Sequence, residues 1–231
     1  MEIKILASGS DGNAYIISDG NSDILLECGL SLKRLQKLAS YNIPLNCLVS
    51  HCHLDHAKAA KDLIDQGYNV YLAAETAESL NLSGYFVHIV NAGQQFTIES
   101  FIIVPFDLYH CNSDGSSCKN LGYLIYSTVI KEKILFATDT AYIKNQFKSL
   151  NYIMIEVNYD DDIMNSVSVD EVEKRRYKSH MSLETAINFI KSTDLSNVEC
   201  IYAIHLSKDR CDKDLILKEL QGVSGIPIII C

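Results

Sequence analysis

A short histidine-rich segment constrains this chain more than any other feature. The sequence reads HCHLDH over residues 51–56, directly after the apolar run NCLVS. His51 and His53 alternate by two, so both side chains point the same way from an extended segment. Asp55 and His56 follow at the expected turn into a helix and point in another direction. Two such ligand pairs can serve two neighbouring metal ions, the alternative being surface or capping histidines.

Three further strand-like runs each end on a possible metal ligand. His110 ends VPFDLYH, Asp139 follows KILFAT, and His205 follows CIYAI. Ligand sites of α/β folds gather in the loops beyond strand ends, where these three residues fall. A lone histidine or aspartate there is more often a cap, so the inference depends on the whole set. His88, in YFVHIV, reads as an ordinary strand residue.

The rest of the chain alternates strand-like and helix-like runs, without a repeat or a linker rich in proline, glycine or serine. The patterns predict strands at 2–6, 14–18, 23–27, 46–50, 69–73, 94–105, 121–129, 133–137, 152–157, 200–204 and 226–230. They predict helices at 31–41 and 57–67, and over parts of 161–177, 182–192 and 212–220. This order predicts one α/β domain over residues 1–231, with helices packed on sheets.

Composition narrows the class of protein. A chain of 231 residues that is 48% hydrophobic can bury a substantial core, yet no apolar run reaches the roughly 20 residues of a membrane span. The eight cysteines form no CxxC pair and no secretion signal is evident, so we expect reduced thiols and a cytoplasmic protein. The net charge of −9 argues against a surface that grips nucleic acid everywhere, but it leaves room for a local basic groove.

The motifs taken together resemble those of the metallo-β-lactamase superfamily, and most of all its small bacterial and phage members of the YycJ/WalJ type. The matching motifs are SGSDGN (8–13), ECG (27–29), HCHLDH (51–56), TDT (138–140), EVNYD (156–160) and SHMS (179–182). The resemblance covers essentially the whole chain. It implies an α/β fold, the four-layer αβ/βα metallo-β-lactamase sandwich, with a dinuclear metal site.

The resemblance also implies how the ligands divide. Each of two divalent ions would have three ligands of its own, His51, His53 and His110 for the first and Asp55, His56 and His205 for the second. The carboxylate of Asp139 would bridge the two ions. Imidazole and carboxylate ligands suit Zn²⁺, Mn²⁺ or Fe, and ligand type alone does not select among them. Glu27 replaces a more usual Asp, and we expect it to anchor a ligand histidine at a different reach.

Such a metal pair favours hydrolysis. Two ions about 3.5–4 Å apart can share a water and lower its pKa, and the hydroxide that forms would attack phosphorus. Asp55 would orient that water or accept its proton. His180 follows basic residues and lies 25 positions before His205, a placement similar to a histidine of the superfamily's tRNA 3′-processing endonucleases. We therefore predict that His180 protonates the leaving alkoxide, although a simple role at a helix start is the alternative. Four nearby basic residues either contact phosphates or form a solvated helix end: Lys174, Arg175, Arg176 and Lys178.

These expectations favour a metal-dependent phosphodiesterase that acts on nucleic acid, of the exonuclease kind that the resemblance implies. The alternative is a cyclic-nucleotide phosphodiesterase, because phage-encoded relatives of this fold destroy nucleotide signals of host defence, and such substrates need no long basic track. A non-enzymatic, metal-stabilised binding module is a third hypothesis, which the complete ligand set and His180 disfavour. We expect no membrane partner, and a homodimer stays an open alternative.

Overall fold

The computed structural model describes residues 1–112, 114–161 and 179–231. Within them, two β-sheets lie face to face, and helices cover the outer face of each sheet. The predicted helix at 161–177 falls outside the described residues apart from its first position. The four basic residues predicted near the phosphates also lie outside them: Lys174, Arg175, Arg176 and Lys178.

The first sheet has six strands, which are arranged in the order of the sequence. They are β1 Glu2–Ala7, β2 Ala14–Ser18, β3 Asp23–Leu26, β4 Asn46–Leu48, β5 Asn69–Leu72 and β6 Val87–Ile89. The strands from β1 to β3 pair antiparallel, and those from β3 to β6 pair parallel. Because β3 and β4 are parallel neighbours, their C-terminal loops leave the same edge, which places Glu27 near the 51–56 segment.

The second sheet has seven strands, four of which carry or lead into candidate site residues. They are β7 Phe96–Ile98, β8 Phe101–Cys111, β9 Ser117–Ser127, β10 Lys133–Ala137, β11 Tyr152–Glu156, β12 Cys200–Ile204 and β13 Ile228–Ile230. Their order in the sheet is β13-β12-β11-β10-β9-β8-β7. Since β10, β11 and β12 are parallel neighbours, their C-terminal ends meet at one edge and bring Asp139, Glu156 and His205 together.

Six described helices flank the sheets. They are α1 Leu32–Leu38, α2 Leu54–Ala57, α3 Ala60–Asp65, α4 Ala74–Ser79, α5 Leu183–Ser192 and α6 Lys213–Ser224. At the start of α5 the hydroxyl of Ser182 accepts a hydrogen bond from the backbone N–H of Thr185. Asp212 caps α6 in the same way, and Gly225 ends that helix in the left-handed conformation, at φ 65°.

Three apolar clusters separate the layers. The cluster between the sheets contains Tyr15 from the first sheet and Phe101 and Tyr123 from the second. Another cluster packs α5 and α6 on the outer face of the second sheet, and a third packs α1, α3 and α4 on the first. The order helix, sheet, sheet, helix confirms the predicted four-layer αβ/βα fold. The shared middle layer favours one domain over residues 1–231, which stays a prediction.

The helix predicted at 57–67 is wrong in its boundaries, since the structure has two short helices, α2 and α3, with a break between them. In a continuous helix the N–H of Ala59 would donate to the carbonyl of Asp55. Instead it donates to the carbonyl of Cys28, at 2.9 Å, while the N–H of Asn13 donates to Asp55, at 2.8 Å. Hydrogen bonds from distant loops therefore replace the helical one.

The strand predicted at 94–105 is also wrong, because the chain reverses within it to form the antiparallel pair β7 and β8. Ile98 pairs with Phe101 across a two-residue turn, and Glu99 adopts a left-handed φ of 50° there. The only signal in the sequence is the polar pair Glu99–Ser100, which interrupts the apolar pattern at the turn. The short helix α4 was also absent from the prediction, whereas β6 confirms the strand expected around His88.

Two glycine-containing loops, those of the SGSDGN and ECG motifs, hold the 51–56 segment in place through backbone contacts. The N–H of Cys28 donates to the carbonyl of His56, at 2.8 Å. The N–H of Gly29 donates to the carbonyl of Asn13, at 2.9 Å. The backbones approach so closely that a Cβ on Gly29 would lie 1.6 Å from the carbonyl oxygen of Asp55. Only glycine fits this position, which gives the SGSDGN and ECG motifs a structural role.

We predict that Gly29→Ala lowers the free energy of unfolding by about 3 kcal/mol or more, because the methyl group must push the Asp55 backbone away. Gly222→Ala is the matched control. Gly222 lies in α6, where an added Cβ would meet no atom within 4 Å, so alanine should be neutral or stabilise by about 1 kcal/mol. Urea unfolding of the three proteins measures both changes, and equal stability of Gly29→Ala and wild type would contradict the prediction.

Candidate metal centre

The structure brings all seven predicted ligand residues to the edge where the two sheets deliver their loops. Their ligand atoms form two groups, and within each group all atoms lie within 4.8 Å of one another. The first group is His51, His53, His110 and Asp139, and the second is Asp55, His56, Asp139 and His205. Asp139 belongs to both groups.

The carboxylate of Asp139 divides its two oxygens between the groups. Its Oδ2 lies 3.8 Å from Nε2 of His51 and 3.7 Å from Nε2 of His110. Its Oδ1 lies 3.1 Å from Nε2 of His56 and 3.2 Å from Nδ1 of His205. One buried carboxylate therefore faces four imidazoles, two on each side, which is the arrangement that a bridging ligand requires.

Three site residues that follow strands adopt the left-handed backbone conformation. The φ angles are 63° for Glu27, 50° for Asp139 and 54° for His205. Non-glycine residues rarely adopt positive φ, and each instance costs of order 1–3 kcal/mol unless local hydrogen bonds compensate. These turns end β3, β10 and β12 and direct the side chains to one place, so the strain coincides with the candidate site.

In the first group, the outer hydrogen bonds fix which ring nitrogens carry protons. Nδ1 of His110 donates to the carbonyl of Ser179, at 3.2 Å, and Nε2 of His53 donates to Oδ1 of Asn112, at 3.1 Å. The remaining nitrogens, Nδ1 of His53 and Nε2 of His110, face each other at 3.2 Å. Two lone pairs at this distance repel unless a cation lies against them, so the pair fits a metal ion.

His51 supports the same conclusion for the first group. Its Nδ1 lies 2.9 Å from Oγ of Ser50, whereas its Nε2 is buried and has no hydrogen-bond partner among the described residues. Burial lowers the pKa of His51 well below its usual range, and it lowers the pKa of His110 to about 4. Both rings are therefore neutral near pH 7, the form that binds metals.

The second group has the opposite electrostatics, because carboxylates surround its histidines. Burial alone would lower the pKa of His56, but Asp139, Asp55 and Glu27 raise it well above its usual range. For His205 the same balance of burial against Asp139, Asp55 and Glu156 raises the pKa to about 10. The negative carboxylates therefore stabilise positive charge at this group. Protons on the two rings supply that charge, and a divalent cation can replace them.

Glu156 belongs to the EVNYD motif, but sequence reasoning assigned it no role. It is buried, and its Oε1 accepts hydrogen bonds from Nδ1 of His180, at 2.6 Å, and Nδ1 of His205, at 2.9 Å. Its Oε2 accepts from the backbone N–H of Thr140 and Met181, at 2.8 and 3.1 Å. The available signal was an acidic residue at the end of the otherwise apolar strand YIMIE.

A third possible metal group consists of Asp139, Glu156, His180 and His205. The four hydrogen bonds to Glu156 use about all the acceptor positions of a carboxylate. In this arrangement Glu156 orients His180 and His205 and has no lone pair left for a metal. The first two groups therefore make the better cation sites.

The predicted catalytic residues lie in a cleft of about 770 Å³ that the ligand groups line. The side chain of Asp55 is 26% exposed and that of His180 is 12% exposed, so both are accessible from the cleft. Burial lowers the pKa of His180, but the adjacent Glu156 and Asp139 more than offset this and raise the pKa above its usual range. These carboxylates therefore favour the protonated form of His180.

Glu27 lies beside His56, with Oε2 3.4 Å from Nδ1, and its Oε1 accepts a hydrogen bond from the N–H of Ser50, at 3.1 Å.

His88 lies away from the centre in β6, where its Nε2 is 2.8 Å from Oδ1 of Asn69 and its ring stacks on Tyr71.

Comparison with known proteins agrees with this geometry. The profile of the family described as "Beta-lactamase superfamily domain" matches residues 23–206, which span all seven predicted ligands. The chain belongs to the beta-lactamase superfamily. The family match confirms the relationship that the motifs predicted. In the described part of this superfamily member, no helix is both long and apolar enough to cross a membrane.

Curated relatives of this superfamily member include bacterial exodeoxyribonucleases. Exodeoxyribonuclease WalJ of Streptococcus pneumoniae is 28% identical over 226 residues, which cover 92% of this chain and 84% of the relative. Exodeoxyribonuclease YycJ of Bacillus anthracis is 25% identical, over 96% of this chain and 89% of that protein. Among solved structures, the metallo-beta-lactamase fold protein YhfI of Bacillus subtilis has a TM-score of 0.71 at 16% identity, over 99% of this chain and 95% of YhfI.

Proposed function

We propose that this protein is a hydrolase that uses two divalent metal ions to cleave phosphodiester bonds in nucleic acid, as an exonuclease. The observation that carries the proposal is the carboxylate of Asp139, whose two oxygens face two separate groups of ligand atoms. The relatives named exodeoxyribonucleases, which align over most of the chain, support nucleic acid as the substrate. A cytoplasmic location and a homodimer stay predictions.

The proposed ligands are those of the two groups. The first ion is assigned to His51, His53 and His110, the second to Asp55, His56 and His205, with Asp139 shared. The donors are imidazoles and carboxylates without thiolate, which suits Zn²⁺, Mn²⁺ or Fe. Two such ions, when bound, polarise phosphoryl oxygens and lower the pKa of water toward neutrality.

The residues of the chain supply the proton transfers. Asp55 is ionised, because hydrogen bonds from His205 and His56 outweigh its burial and lower its pKa. Its carboxylate can accept a hydrogen bond from the attacking water and so orient that water. His180 faces the same cleft and holds a proton, since Glu156 accepts the hydrogen bond from Nδ1 and stabilises the charged ring. We assign it the role of general acid, which donates a proton to the leaving alkoxide oxygen.

A second candidate is a cyclic-nucleotide phosphodiesterase. The cleft volume of about 770 Å³ lies within the range of small-molecule sites, and the net charge of −9 does not favour long polyanions. Both functions use the same ligands and the same acid, so substrate tests must separate them.

We predict that the protein, loaded with Mn²⁺ or Zn²⁺, shortens end-labelled DNA stepwise and leaves cyclic mononucleotides intact. His53→Ala should lower this activity at least about 100-fold. Mutation of residues that only hydrogen-bond to metal ligands already lowers metal affinity or activity 10- to 100-fold, and His53 is a proposed ligand itself. His88→Ala is the matched control, because His88 lies outside the centre, and it should retain wild-type activity. Hydrolysis of cyclic nucleotides with intact DNA would favour the second candidate, and metal binding without any hydrolysis would favour a binding module.

We predict that the effect of His180→Ala depends on the leaving group. DNA cleavage releases an alkoxide that needs a proton, so kcat should fall roughly 100-fold or more. A p-nitrophenyl ester of thymidine 5′-monophosphate releases a stable phenolate, so its hydrolysis should fall less than about 10-fold. Metal content should stay at the wild-type level. Equal losses on both substrates would remove His180 from the role of general acid.

A further inference from the structure

Two exposed tyrosines lie on the segments that carry the ligands His110 and Asp139. Tyr109 is 50% exposed and Tyr142 is 39% exposed. Their ring centroids are 5.8 Å apart and the ring planes are within 17° of parallel. The hydroxyl of Tyr109 lies 3.5 Å from Sγ of Cys111, which lines the cleft. The proposed hydrolysis uses neither ring.

The segments that carry the metal ligands also hold these tyrosines. Tyr109 precedes His110 on β8, and Tyr142 follows Asp139 by three residues. The N–H of Ala141 donates to the carbonyl of Tyr109, at 3.3 Å, which ties the two segments together. Since side chains alternate along a strand, Tyr109 and His110 point to opposite faces of β8. The ring of Tyr109 therefore lies outside the ligand groups, and its contact with Cys111 connects it to the lining of the cleft.

Two lysines accompany the rings. Nζ of Lys144 lies 5.5 Å from the ring centroid of Tyr142. Lys119 is paired with Tyr109 across β8 and β9 and so shares its face of the sheet, where its Nζ donates to Asp107. Exposed aromatic rings interleaved with cationic groups are typical of surfaces that bind single-stranded nucleic acid, because bases stack on the rings and phosphates approach the cations.

We propose that Tyr109, Tyr142, Lys119 and Lys144, which we name the tyrosine platform, bind an unpaired base of single-stranded nucleic acid while a neighbouring phosphodiester occupies the metal cleft. This inference rests on the proposed function and narrows its substrate to single strands or unpaired ends. Interior bases of a duplex are stacked on both faces and cannot lie on the platform. Stacking is indifferent to sequence, because every base has a π-face.

Binding can be tested with a single fluorophore, because the chain has no tryptophan. Tyr109→Trp, as the full-length metal-loaded protein, is titrated with a phosphorothioate oligothymidylate, which resists cleavage. A second oligomer has the same backbone but abasic sites in place of every base. We expect the base-containing oligomer to quench the tryptophan and to bind roughly tenfold more tightly than the abasic one. Equal affinity and equal fluorescence with both oligomers would overturn the platform.

Kinetics test the same rings without a new fluorophore. Tyr109→Ala and Tyr142→Ala should each raise KM for single-stranded DNA roughly five- to tenfold, with little change in kcat. Tyr109→Phe keeps the ring and should keep the wild-type KM. Tyr85→Ala is the matched control, since Tyr85 is 86% exposed and lies against Phe86, just before β6 in the first sheet. Equal KM values for all four variants and wild type would overturn the platform.

The two proposals fail in different ways. Quenching by the base-containing oligomer, in a protein that cleaves no DNA, would overturn the proposed function and leave the platform in place. DNA cleavage that is insensitive to Tyr109→Ala and Tyr142→Ala would overturn the platform alone.

Discussion

The buried carboxylate of Asp139 lies between two sets of imidazoles, and the arrangement of the site depends on it. One oxygen faces His51 and His110, and the other faces His56 and His205. Without this shared negative charge the ligands would form two unrelated clusters. With it, they form two adjacent cation sites of different character, one built from neutral rings and the other from rings among carboxylates.

The fold explains how residues so distant in sequence reach one place. The neighbouring parallel strands β10, β11 and β12 deliver Asp139, Glu156 and His205 from the second sheet, and the loops after β3 and β4 deliver Glu27 and the 51–56 segment from the first. Left-handed turns then direct the side chains inward. The close approach of Gly29 to Asp55 fixes the position of the histidine-rich segment against the loop after β3. Three left-handed turns and one very tight backbone contact thus lie around the candidate centre.

The residues alone predicted an α/β domain and candidate ligands at strand ends, and the four layers and the division of the ligands between two ions came from the resemblance of the motifs to the superfamily. The role of Glu156 was not predicted, since its partners His180 and His205 become its neighbours only through the fold. The break after α2 arises from the hydrogen bond between Ala59 and Cys28, which no local pattern encodes. Tyrosines at 109 and 142 gave no signal either, because their stacking depends on the contact between two segments.

The most direct test of this account is anomalous diffraction from crystals of the protein grown with Mn²⁺ or Zn²⁺, with data collected at the absorption edge of the metal. The account predicts two peaks about 3.5–4 Å apart, one on each side of the Asp139 carboxylate, each contacting its own group of ligands. A single peak, or two peaks that do not share Asp139, would contradict it.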